Sequence, residues 1–120
     1  MRSVLTAGLL LLSMSALAYS VPESFSAALA SAKAAADQGE ACMTELKTTG
    51  RIEACRFFSK SHDVYKVKLR NLQSTLSEAK GGPEAAASEI SSEDWTALKN
   101  EGKKIQLTID YVDSYAEFHK

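Results

Sequence analysis

The sequence predicts an all-α protein: an antiparallel bundle of three helices, or of four if Gly102 divides the last one. Three observations lead there. Alanine is abundant and runs of β-branched residues are missing, which favours helix over strand. Apolar residues recur every three or four positions through three long stretches, the period of one helix face. The strongest breakers, Thr48-Thr49-Gly50 and Gly81-Gly82-Pro83, fall between those stretches rather than within them.

The chain opens with a segment that reads as an export signal. Arg2 supplies a positive start, Val4 to Leu12 is mostly apolar but short for a bilayer span, and Ala16-Leu17-Ala18 is a small-x-small cleavage site. Residues 1–18 are therefore expected to be a cleaved signal peptide and 19–120 a single helical-bundle domain. The destination is the periplasm or the cell exterior. Such compartments are oxidising, so the two cysteines are expected to pair.

The first helix begins near Pro22, a residue suited to a first turn. Its apolar seam is Phe25, Ala28, Leu29, Ala32, Ala35, Ala36, Gly39, Cys42, Met43 and Leu46, and Gly50 stops it. The second helix runs from about Arg51 to Lys80. Its seam is Cys55, Phe58, His62, Tyr65, Leu69, Leu72, Leu76 and Ala79. Two antiparallel helices pair residues whose numbers sum to a constant. Cys42 and Cys55 sum to 97, which places the bend within Thr48-Thr49-Gly50. The same sum pairs Gly39 with Phe58, Ala35 with His62 and Ala32 with Tyr65, small against large, as close packing requires. A Cys42–Cys55 disulfide clamping this hairpin is the central structural expectation.

Glu84 to Ile90 reads as a short helical connector. Ser91 and Asp94 then stand at the cap and third positions of the last helix, which carries Trp95, Leu98, Gly102, Ile105, Ile109, Val112 and Ala116 on its seam.

With Arg2 removed, 13 of the 14 basic residues remain against 15 acids. That balance argues against a nucleic-acid partner. The chain has no Gly-rich phosphate loop, no His-Glu-x-x-His helix and no Gly-x-Ser-x-Gly elbow, so no enzymatic activity is expected. No metal site and no cofactor are expected either. Two cysteines at this spacing are not a zinc pattern, and a Cys-x-x-Cys-His haem motif is missing.

What remains is surplus apolar surface. Leu107, Tyr111, Tyr115 and Phe118 keep helical spacing off the seam of the last helix, as Phe57 and Val64 do on the second. In an up-down-up bundle these six gather near the disulfide end. They are the candidate docking patch for a protein partner or a second copy. The function expected is thus an exported binding protein: an inhibitor, a chaperone-like factor or an accessory subunit. The alternative is a carrier of a small apolar ligand or lipid between the helices. Residues 47–70 are rich in Lys and Arg, leaving contact with an acidic surface or anionic lipid as a lesser option. His62, alone on a seam, reads as a core residue with the capacity to titrate.

Overall fold

A computed structural model of the chain describes residues 20–119; the expected signal peptide lies outside them. The described residues form four helices and no strand: α1 Val21–Thr48, α2 Glu53–Glu78, the short α3 Pro83–Ala87, and α4 Ser92–Phe118. The fold is the expected all-α bundle, with three long helices and one connector.

Each helix starts and stops for a local reason. Ser20 caps α1 by accepting from the Glu23 amide at 3.2 Å, while the Glu23 carboxylate accepts from the Ser20 amide at 3.1 Å. Gly50, at φ +73°, turns the chain out of α1 and donates its N–H back to the Glu45 and Leu46 carbonyls. Ile52, which precedes α2, offers no side-chain cap. Glu45 supplies one from α1 instead, its carboxylate accepting from the Ala54 amide at 2.8 Å. That single bond ties the two arms of the hairpin at the bend. Gly81 and Gly82, at φ +89° and +95°, carry the chain past the end of α2, and Ser91 caps α4 by accepting from the Asp94 amide at 3.1 Å.

α4 is continuous through Gly102, so the fourth helix is the connector and not a divided α4. At this point α2 packs over α4: a Cβ at position 102 would stand in ordinary van der Waals contact with the Tyr65 hydroxyl, at 3.4 Å. Burial pushes the Tyr65 phenol above its ordinary pKa of 10.0.

α1 is the central helix. Its backbone runs close to both α2 and α4, while the backbones of α2 and α4 scarcely approach each other. The composition of α1 explains this: Ala28, Ala32, Ala35 and Cys42 are fully buried and small. The sulfur bridge between Cys42 and Cys55 spans a Cα–Cα distance of 4.4 Å. Further along, a Cβ added to Gly39 would lie 3.2 Å from Phe58, the partner expected from the sum of 97, and would run into Thr108 Oγ1 of α4. Near the other end of the hairpin Ser24 and Thr75 share a hydrogen bond of 2.9 Å. There Phe25 meets the edge of Trp95 at 5.0 Å, and the Trp95 indole donates to the Ala87 carbonyl, fastening α3 to α4.

Candidate functional site

Three of the six candidate residues come together. Tyr111, Tyr115 and Phe118 line an open groove of about 590 Å³ with Leu46 and Lys47 of α1 and Gly50 of the turn after it, beside the disulfide end. The i, i+4 spacing of Tyr111, Tyr115 and His119 sets their rings in a row, with Tyr111 tilted 36° to Tyr115 at 6.3 Å. Tyr115 and His119 lie 4.0 Å apart at 15°, and the His119 ring is held by the Tyr115 carbonyl at 2.9 Å. The Lys47 ammonium sits 5.3 Å above the Tyr111 ring, a cation on an aromatic face. Phe118 projects outward with 90% of its surface exposed.

Leu107, 62% exposed, lies one turn before Tyr111 and lines a second, smaller groove with Ala36 and Met43 of α1. Leu107, Tyr111 and Phe118 follow each other at intervals of four and seven, so they form one outward stripe on α4.

Phe57 and Val64 are exposed but line neither groove. Their spacing extends to Thr75, seven and then eleven residues on, and Thr75 bonds to α1. They therefore occupy the flank of α2 next to α1, whereas the α4 stripe borders α1 from its other side. The six residues form two patches with α1 between them. Periodicity marks a residue as off the seam without saying which way it leans, and that direction is what separates the two patches.

Two contributors escaped sequence reasoning. His119 stacks on Tyr115, and its spacing of four from that residue was the available signal. Thr108 is fully buried against Gly39, its hydroxyl donating to the Lys104 carbonyl at 3.3 Å. It continues the Ile105 spacing by three, but a threonine does not announce itself as core.

Asp63 pairs locally with Lys66 at 3.4 Å and Glu101 with Lys104 at 3.7 Å. Asp110 accepts from Gln106 on its own helix.

His62 packs in the seam between α2 and α4, stacked parallel on Phe58 at 5.6 Å, in a groove shared with Ile109, Val112 and Asp113. Burial, reinforced by Lys66 and opposed by Asp63, lowers its pKa below the ordinary 6.5. The neutral ring is the form the fold prefers. Its contribution is complete above pH 6.5 and is lost as pH falls from there through the depressed folded value. Urea midpoints should therefore fall more steeply from pH 7 to 5 in the native chain than in His62→Gln; parallel curves would contradict this.

Among the described residues no group of three or more His, Cys, Asp or Glu is arranged to hold a metal, and no helix is long and apolar enough to cross a membrane. Compared with protein-family models, curated proteins and solved structures, the chain matches none.

Proposed function

We propose that the chain is an exported, non-enzymatic binding protein that docks a protein partner on the outward stripe of α4 at the disulfide end. The observation that carries this reading is Phe118. A phenylalanine with 90% of its surface in water, continuous with half-buried Tyr111 and Tyr115 and a groove walled by Leu46, is the usual chemistry of a protein contact. Export to the periplasm or beyond fits the Cys42–Cys55 bridge, which persists in oxidising compartments. The stripe fits a partner better than the bundle interior fits a carried lipid. Between the helices the middle of the bundle is filled where Gly39, Phe58 and Thr108 meet, and the grooves described above open to solvent.

The test is affinity capture from the native host with the wild type and with Leu107→Ser/Phe118→Ser. Both side chains are exposed, so the variant should keep the wild-type stability within about 0.5 kcal/mol for each change. A partner recovered with the wild type and lost with the folded variant is the expected result. An identical set of captured proteins would remove the stripe from the binding site.

A further inference from the structure

We infer that the outward face of α2 rests on the surface of a bilayer rich in anionic lipid: Phe57, Val64 and Val67 enter its headgroup region while the Lys and Arg side chains around them meet its phosphates. This face is distinct from the α4 stripe, so the inference stands independently of the protein partner proposed above.

The apolar side chains are placed for such a contact. Phe57, Lys60, Val64 and Val67 follow each other at intervals of three, four and three, which is one face of a helix. Phe58 and Leu72, on the inner face of α2, are buried. Phe57, Val64 and Val67 instead keep 58%, 50% and 46% of their surface in water.

Charge selects the partner. α2 carries five cations against three acids, whereas α1 carries two against four and α4 three against six. An anionic plane therefore turns α2 toward itself. Between Arg56 and Arg70 the one acid in the sequence is Asp63, and it is paired with Lys66 at 3.4 Å. Glu53, in the first turn, marks where the basic face begins.

The cations and the apolar groups are interleaved. Lys60 stands between Phe57 and Val64, Lys68 lies four residues beyond Val64, and Arg56 lies eleven before Val67. Their long side chains can hold charge at the level of the phosphates while the ring and the two valines sink below it. A soluble acidic polymer would satisfy the cations and leave Phe57 in water; a bilayer satisfies both. Among the described residues no helix is long and apolar enough to cross a membrane, so the contact is peripheral. α2, at about 39 Å, lies along the surface. In a soluble extract cleared of membranes this face is free, and Phe57 and Val64 react there as in the pure protein.

Vesicle flotation tests the site. At roughly 0.1 M salt the purified protein should float with phosphatidylcholine vesicles containing about 30 % phosphatidylglycerol, and stay behind with phosphatidylcholine alone. Arg56 and Lys60 are exposed, so Arg56→Gln/Lys60→Gln should keep the wild-type melting temperature. It should weaken binding about fivefold for each cation removed. Lys99→Gln/Lys103→Gln makes the same change of net charge on α4 and should leave binding within about twofold. Phe57→Ser should weaken it about fivefold, and Phe118→Ser should have no effect. Protein that stays behind with the anionic vesicles, or floats equally with both kinds, overturns the inference. So does a loss that the α4 lysine pair reproduces. Binding that ignores Phe57→Ser and is displaced by polyglutamate would assign the face to an acidic polymer and overturn the bilayer.

Discussion

Replacing Cys42 and Cys55 together with alanine is expected to destabilise the fold by about 3 kcal/mol. The bridge closes a loop with a sequence separation of 13, and chain-entropy arguments assign about that much to a loop of this size. A domain of this length has roughly 5–15 kcal/mol in total, so the loss is a large share of it. Alanine is the suitable replacement because Cys42 is fully buried and serine would add an unpartnered hydroxyl there. The melting temperature should fall by more than about 10 °C, and a reducing agent should lower that of the wild type by a similar amount. The effect should reach the stripe as well. Leu46 and Gly50, which wall its groove, lie just before and within the bend that the bridge and the Glu45–Ala54 bond hold closed. An alanine pair as stable as the wild type would mean that packing alone closes the hairpin.

Gly39 is the second position of large effect. Alanine in a helix normally improves on glycine by about 1 kcal/mol. Here its Cβ would collide with Thr108 Oγ1, on a buried and β-branched side chain with little freedom to retreat, and would press on Phe58 at 3.2 Å. Overpacking costs roughly 1–3 kcal/mol and grows with the size of the intruder. Gly39→Ala is therefore expected to lose about 1 kcal/mol net, and Gly39→Leu more than about 3 kcal/mol, in urea unfolding. Thr108→Ala should recover part of the Gly39→Ala loss by removing the oxygen in the way. A double-mutant cycle with no coupling between the two positions would contradict the three-helix contact.

Much of this fold was legible because two kinds of residue carry unambiguous instructions. The cysteines fixed a register, and Gly39 opposite Phe58 then followed from arithmetic. Ser91 with Asp94, and the glycines at 50, 81 and 82, fixed where helices start and stop. Gly102 was not legible. Glycine lowers helix propensity wherever it occurs, and nothing in the spacing around this one says that the helix runs on through it. The candidate site was half legible for a related reason. Spacing grouped Leu107, Tyr111, Tyr115 and Phe118 on one face of the last helix, a property of a single helix. Whether Phe57 and Val64 join that stripe depends on the rotation of α2 about α1, which the hairpin register leaves open. His119 carried a signal, its spacing of four from Tyr115, but a lone histidine after the apolar stripe does not declare a ring contact.

The separation of the two patches also permits the most direct test. Hydroxyl-radical footprinting, read by mass spectrometry, can compare the protein in its native extract with the purified protein at high dilution. If α4 carries the contact, oxidation of Leu107 and Phe118 is suppressed in the extract while Phe57 and Val64 react equally in both. Equal oxidation of the α4 pair in the two samples, or protection confined to Phe57 and Val64, would contradict the assignment.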